Sequence, residues 1–230
     1  MKQLSSLFFF FLVFSPLFAQ KEDTWSIKVY HNTDIYNKQY VNATGERNES
    51  VFQANRFSLA IQYHADRKFT HEIEVFLPES NKTPDDLRFP FRHSFTENPD
   101  YKVSVDAYDV RYEVIERISR KNGNITFHTG LSVNPFYYKI TNEPQVNFIY
   151  KEQFTNFGFT VALAPHIKFH LSDRIRLNVN IPISLYTLRV EEFKSDDPRV
   201  SGPSKQEQKA NHRLLPNVYS LRIGLSYQFN

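Results

Sequence analysis

The chain has 230 residues, no cysteine, and 28 Lys and Arg against 25 Asp and Glu, for a formal net charge of +3. Without cysteine there is no disulfide framework, thiolate metal site or thiol nucleophile. So small a charge, with no Lys/Arg cluster interleaved with aromatics, gives no basis for nucleic-acid binding.

Residues 1–19 read as a secretory signal peptide, with Lys2, an apolar core from Leu7 to Phe14, then Ser15, Pro16 and Ala19 before the polar Gln20-Lys21-Glu22-Asp23. That core is shorter than the about 20 apolar residues a spanning helix needs, and no later run approaches this length. Hydropathy alone would call the rest soluble, but a β-barrel shows lipid only alternate residues and keeps a low average. Pro and Gly are neither gathered in a linker nor periodic, so residues 20–230 are expected to form one domain.

Apolar residues recur at every second position in eight segments, each a candidate strand. Trp25, Ile27 and Val29 open the series, followed by Phe57 to Tyr63 and Phe69 to Leu77. The fourth segment changes phase: Val103 and Val105 lie in one frame and Tyr108, Val110, Tyr112 and Val114 in the other, which predicts a bulge near Ala107. Ile125 to Val133, Phe157 to Phe169 and Ile175 to Leu185 follow. Tyr219, Leu221, Ile223, Leu225, Tyr227 and Phe229 form the last. Three connections are tight, at His64–Arg67, Ser119–Asn124 (with the hairpin pair Asn122-Gly123) and His170–Arg174. The others, Asn32–Ala54, Pro78–Asp100, Tyr137–Glu152 and Glu191–Leu215, are long and polar and read as loops.

Short turns at one end, long loops at the other and an even strand count make up an up-and-down transmembrane plan. On the alternation of Tyr219 to Phe229, the tight turn Leu171–Arg174 and the aromatics near strand ends, the chain resembles the small eight-stranded outer-membrane barrels of Gram-negative bacteria, the OmpA-like and OmpX-like proteins. The resemblance implies an all-β, eight-stranded antiparallel barrel in the bacterial outer membrane. Its partners would be outer-membrane lipid, the barrel-assembly machinery during insertion and a possible surface ligand held by the loops. Tyr63, Phe69, Tyr108, Phe157, Tyr219, Tyr227 and Phe229 would lie at the membrane interfaces.

The frame opposite the apolar one carries Lys28, Gln62, Lys68, Glu72, Glu74, Asp109, Arg111, Glu113, Asn124, His128, Thr160, Lys168, Arg176, Asn178, Asn180, Arg222 and Gln228. An eight-stranded barrel is just wide enough for such side chains to fill. The expectation is a polar plug in which Glu72, Glu74 and Glu113 neutralise Arg111, Arg176 and Arg222, because an unpaired buried charge is costly; a narrow ion path is the alternative. The reading is of a structural or surface-interaction protein, neither an enzyme nor dependent on a cofactor.

Three rivals stand beside it. A lipid A-modifying enzyme would draw on His128, Ser132, His166, His170 and Glu113, but His128 and Ser132, four apart on a strand, are about 13 Å apart and cannot pair directly. A metal site at His64, His166 and His170, or at His31, His93 and His212 in the loops, would need a geometry that spacing does not supply, and no metal is expected. A secreted lipocalin-like barrel would turn its apolar face inward. The short-turn end carries Arg67, Lys68, Arg117, Arg120, Lys121, Arg174 and Arg176, which suits either contact with anionic head groups or plain turn solubility.

Overall fold

A computed structural model of the chain describes residues 24–41, 47–65, 68–76, 101–119, 124–146, 149–199, 206–214 and 218–229. These form ten strands: β1 (Thr24–Val41), β2 (Arg47–His64), β3 (Phe69–Phe76), β4 (Tyr101–Arg117), β5 (Ile125–Pro144), β6 (Glu152–His170), β7 (Ile175–Asn180), β8 (Ile183–Ser195), β9 (Gln206–Leu214) and β10 (Val218–Phe229). Every neighbouring pair is antiparallel. β1 pairs with β2 along its whole length and, on its other edge, with β10 from Trp25↔Phe229 to Tyr36↔Val218, which closes the sheet. β7 and β8 lie in line along the same edge of β6, and β10 and β9 lie in line beyond them. Ten elements therefore make eight staves, a closed antiparallel barrel.

The break between β7 and β8 falls at Ile181-Pro182, where proline has no N–H for the ladder. The Ile181 N–H donates to the Pro165 carbonyl at 3.3 Å and keeps both halves in one line. Just beyond, Val161 faces Tyr186 while Ala162 faces Ser184, so Leu185 is left over as a bulge. The turn between β6 and β7 is held by the Ser172 hydroxyl, which accepts the N–H groups of Arg174 and Ile175 at 3.3 and 3.0 Å. The turns at Asp66-Arg67 and Asn122-Gly123, the signal peptide and the Pro78–Asp100 connection lie outside the described residues.

The two faces are opposite in chemistry. Outward stand Trp25, Ile27 and Val29, Phe57, Leu59 and Ile61, Ile73 and Val75, Leu131 and Val133, Ile181 and Ile183, and Leu221, Ile223 and Leu225, each roughly half exposed. A bare apolar belt round the whole circumference is stable only against lipid. Inward stand Ser26, Lys28, Asn32, Glu72, Glu74, Arg111, Glu113, His166, Lys168, Asn178 and Arg222, all buried. This arrangement overturns the lipocalin-like alternative, which requires the reverse, and makes the protein a membrane-spanning barrel of the outer-membrane type.

Two expectations are corrected. There is no bulge at Ala107, since β4 keeps one register against β5 from Tyr101↔Pro144 to Arg117↔His128. What changes is the environment. On the outer face the row Tyr108, Tyr137 and Phe157, each facing the next across the sheet, ends the apolar belt. Beyond it the outward frame turns polar, with Asp106, Ser104 and Lys102 on β4 and Lys139 and Glu143 on β5. The inward frame turns apolar there, so that Phe136, Tyr138, Ile140 and Phe154 form a buried cluster with Val105, Ala107 and Phe193 against it. The phase change in the sequence is the strand leaving the membrane.

The second correction concerns the loops. The predicted connections Asn32–Ala54, Tyr137–Glu152 and Glu191–Leu215 are largely strand, because their ladders continue above the belt: β1 with β2 to Val41↔Arg47, β5 with β6 to Asn142↔Glu152, and β8 with β9 to Lys194↔Gln206. Their polar residues hid this, since a strand wet on its outer face loses the alternation that lipid imposes.

The belt has a direct test. Ile223→Arg, on the outer face near the middle of β10, is expected to cost about 2–4 kcal/mol, the scale for a cation at the bilayer midplane, in urea unfolding from lipid vesicles. A loss under about 0.5 kcal/mol, the surface-site level, would place Ile223 off the lipid.

Candidate functional site in the barrel lumen

The lumen is filled in tiers. The middle tier is centred on Arg222 of β10, 1% exposed. Its Nε donates to Asn32 Oδ1 on β1 at 3.0 Å and its Nη1 to Asn180 Oδ1 on β7 at 3.0 Å, while Nη2 donates to Glu74 on β3. Glu72 and Glu113 stand 3.5 and 3.6 Å from the same guanidinium, and its carbon lies 4.2 Å from the centre of the Tyr30 ring. Tyr30 in turn lies over Gly224, directly opposite on β10, where a Cβ would collide with the ring. Glycine at that inward position makes the room for the aromatic ring, which then covers the bare backbone.

Each carboxylate has further donors. Glu72 accepts Lys28 Nζ at 2.5 Å and Tyr30 Oη at 3.1 Å. Glu74 accepts the Ser58 hydroxyl, which itself accepts Asn32 Nδ2 at 2.8 Å. Glu113 stands 2.8 Å from His166 Nε2 and 3.3 Å from Arg111 Nη2. The Glu113–His166 pair sits over Gly130, where a Cβ would collide with the carboxylate.

The tier above is organised by Arg56. It bridges Asp34 at 2.9 Å and Asp109 at 3.2 Å, with its guanidinium 4.3 Å from the Phe76 ring centre. Asp109 also accepts Asn134 Nδ2 at 2.6 Å and Tyr138 Oη at 3.3 Å, and Asp34 accepts the Ser220 hydroxyl. Tyr138 belongs as well to the apolar cluster, so that cluster caps the ionic tiers directly. The lowest tier, toward the short turns, is different: His64 bonds Ser26 and Thr70, His128 and His170 bond Thr126, and Arg176 bonds Gln228.

Of the predicted network, Glu72, Glu74, Glu113 and Arg222 lie together and Arg111 joins Glu113. Arg176 does not; its guanidinium is on Gln228, and Lys28 at Glu72 and His166 at Glu113 stand in the places expected of it. Lys68 and Asn124, expected inside, are exposed, and Lys68 Nζ pairs with Glu116 at 2.7 Å. Asp34, Arg56 and Tyr30 were missed. The signal for Asp34 and Arg56 was present, since Lys28, Asn32, Asp34 on β1 and Arg56, Ser58 on β2 continue one inward frame across what reads as a loop boundary. For Tyr30 it was the inward Gly224.

Among the predicted interface aromatics, Tyr108 is the most exposed at 66% and Phe157 lies in the same outer row. Tyr227 and Phe229 stand at the other end with ring centres 5.2 Å apart, and Arg174 donates to the Tyr227 hydroxyl at 3.3 Å. Phe69 is half-buried beneath the Lys68 ammonium, 5.3 Å away. Tyr63 is only 7% exposed because Trp25 covers it at 4.8 Å. The Tyr219 side chain lies outside the described residues.

The groups weighed for catalysis are not paired for it. The Ser132 hydroxyl donates to the Ala162 carbonyl at 3.4 Å and is not bonded to a histidine, His128 Nε2 is on Thr126 at 3.0 Å, and His166 Nε2 is on Glu113. Among the described residues no group of His, Asp and Glu gathers as metal ligands.

No protein-family model and no curated protein sequence matches the chain. Solved structures resemble it in shape. The N-terminal β-barrel domain of Pseudomonas aeruginosa OprF aligns at 7% identity over 91% of this chain and 100% of that one, with a TM-score of 0.44. A major outer membrane protein from Thermus thermophilus aligns at 12% identity over 91% and 100%, TM-score 0.49. The outer membrane protease OmpT of Escherichia coli aligns at 8% identity over 92% and 98%, TM-score 0.45.

Arg222→Met leaves Glu74, Glu72 and Glu113 short of a shared cation and is expected to cost about 3–5 kcal/mol in urea unfolding from vesicles. Arg222→Met with Glu74→Gln should recover part of that loss; a double variant as unstable as the single one would show that the pair is not coupled. Gly130→Ala, by displacing the Glu113–His166 pair, is expected to destabilise by about 1–3 kcal/mol in the same assay.

Proposed function

We propose that this protein is a closed, non-conducting and non-catalytic outer-membrane barrel whose working part is the strand-built structure standing above the membrane. One observation carries the reading: at the aromatic row Tyr108, Tyr137 and Phe157 the faces invert, so that the membrane portion has a polar interior and the portion beyond it an apolar one. A pore would need a continuous wet path, whereas here a cluster of Phe136, Tyr138, Ile140 and Phe154 stands in line above the Arg56 and Arg222 tiers. Paired strands with polar outer faces are a stiff platform for recognition, and ordered extensions lose less entropy on binding than loops.

The connection following β8 is itself organised. Arg199 Nη2 stands 2.8 Å from Asp197 Oδ2, and its hydrogen bonds hold the Asp197 carboxyl below the usual range. Along β8 and β9 the charges alternate in sign, with Arg189 paired to Glu191, Lys194 to Glu192 and Lys209 to Glu207. Such a surface is hydrophilic and balanced, which favours a specific polar contact over bulk attraction to a charged polymer. The surface ligand, outer-membrane lipid and the assembly machinery are the partners this reading requires.

Three measurements test it. Purified barrel in planar bilayers is expected to give no discrete conductance steps, and lipid A from cells with and without the gene is expected to have the same mass profile. Added protease should cut intact cells' protein at the exposed Arg199 while residues 24–34 and 218–229 stay protected. Stepwise conductance, an acyl-chain difference in lipid A, or protection of Arg199 on intact cells would each overturn the corresponding part.

A further inference from the structure

The wall of the barrel lacks one stretch of ladder. β10 pairs with β7 up to Arg222↔Asn180, and pairing between the same two staves resumes only at Leu214↔Tyr186, on β9 and β8. Continued upward, the lower register would set Leu221, Ser220, Tyr219 and Val218 against Ile181, Pro182, Ile183 and Ser184. Among the described residues none of these rows is paired, although Val218–Leu221 stay paired to β1 and Ile183 and Ser184 to β6. The two ladders are out of step by two residues and cannot run into one another. At Pro135 the ladder of β4 and β5 also skips, but there the register is the same on both sides. The flanking rows keep the two staves side by side, so the break is a notch roughly 13 Å long in the wall.

Depth places the notch in the outer leaflet. Leu221 lies eight residues above Phe229, about 20 Å up an apolar band about 25 Å tall at the usual strand tilt. Tyr186 and Phe159, ring centres 6.0 Å apart, stand at its upper end, and Ile181, Ile183 and Leu221 are exposed at its outer margins. Behind it the lumen is full: the Ser220 hydroxyl is on Asp34 and the Asn180 side-chain carbonyl on Arg222, so the notch does not lead inward. Its edges are peptide groups. The Ile181 N–H turns to Pro165 on β6, and because successive residues of a strand alternate sides, Pro182 and Ser184 turn their backbone groups toward Ser220 and Val218. Pro182 has only a carbonyl to offer. Peptide groups without partners are costly at this depth, where the bilayer supplies no water.

We propose that this notch binds one amphiphile of the outer leaflet, of the class that carries an amide or hydroxyl where its head group joins its acyl chain. Such a group both donates and accepts, as the facing peptide groups of Ser184 and Ser220 require. A plain ester or ether has no proton to give and serves only half of them. The acyl chain lies along Ile181, Ile183 and Leu221, and the head group stands at the level of Tyr186. Because the lumen behind is packed, the ligand stays in the wall, and the barrel remains closed while it is bound.

The test uses the full barrel folded in dodecylphosphocholine micelles, with its backbone amides followed by NMR. The probe is N-methyl lauramide, and methyl laurate, with the same chain and no donor, is the comparison. Without probe, the amides of Ser184, Val218 and Ser220 should exchange with solvent faster than that of Ile223 in the paired ladder below. The lauramide should shift them saturably and the laurate should not. Leu221→Trp, which fills the notch from outside, should weaken lauramide binding about tenfold or more, the scale of one buried hydrogen bond left unmade. Ile223→Trp, one outward step lower on β10, should leave it unchanged, and Ile183→Trp carries the test if Leu221→Trp does not fold. The proposal is overturned by an absence of saturation with the amide, by equal saturation with the ester, or by undiminished binding in whichever notch variant folds. Slow exchange of the notch amides without probe, as a cover formed by residues 215–217 would produce, overturns it equally.

Discussion

A guanidinium that cannot reach water must be surrounded by acceptors, and Arg222 meets that requirement only because the barrel is closed. Its partners come from β1, β3, β4 and β7, so no hairpin or open sheet can supply them together. The inward frame of each of those staves is then constrained: Asn32 and Tyr30 on one, Glu72 and Glu74 on the next, Glu113 beyond, Asn180 on the far side. A single register slip on any stave would turn its inward residues to lipid and leave Arg222 short of a partner. Interior ion pairs contribute little net stability where a hydrophobic core is the alternative, but in a barrel with lipid outside the interior has to be polar or empty. Here the network is what makes one register preferable to the rest.

The membrane boundary is written in the chain as an inversion of faces, and this is where the sequence was both most and least legible. Within the belt, period-2 alternation located all eight staves, because lipid on one side and a filled lumen on the other give the strongest contrast a strand can carry. At Val105 and Ala107 that contrast reverses with no change in backbone register. Phe136 to Ile140 on β5 follow the same rule after Val133, and Phe154 on β6 does so before Phe157. Any one strand taken alone reads as a bulge; several strands reversing at one row read as an interface. Above the row the outer residues are Lys102, Asp106, Lys139 and Glu143, ordinary loop chemistry, and nothing in their composition distinguishes a solvated strand from a loop.

The lumen was legible as a set and not as a wiring diagram. Alternation assigns Glu72, Glu74, Glu113, Arg111 and Arg222 to the inside, but which acid meets which base depends on stagger between staves. Arg176 and Arg222 occupy the same inward frame on adjacent staves, yet the register sets Arg176 opposite Ser226 and Arg222 opposite Asn180, so that Arg176 reaches Gln228 and Arg222 reaches Glu74. Lys28 and His166 fill the places this leaves. The two glycines follow the same logic from the other direction: Gly130 and Gly224 are inward positions with no side chain, and in a lumen packed to capacity each marks where a large neighbour lies across the backbone.

Closure has a further consequence for how the molecule forms. Until β10 pairs with β1, Arg222, Ser220 and Gly224 are separated from Glu74, Asp34 and Tyr30, and Glu74 lacks its cation, while Asp34 keeps Arg56 of β2. The final strand is therefore the one that brings the shared cation, Arg222, to the middle tier, and it adds the Ser220 hydroxyl to Asp34 above. An open sheet would hold Glu72, Glu74 and Glu113 close together with only Lys28 and Arg111 to offset them, an arrangement unfavourable anywhere away from water. Insertion ahead of closure is thus penalised by the sequence itself. The apolar face alone would permit partial insertion; the interior charges make folding and burial a single event, with β10 as the strand that completes it.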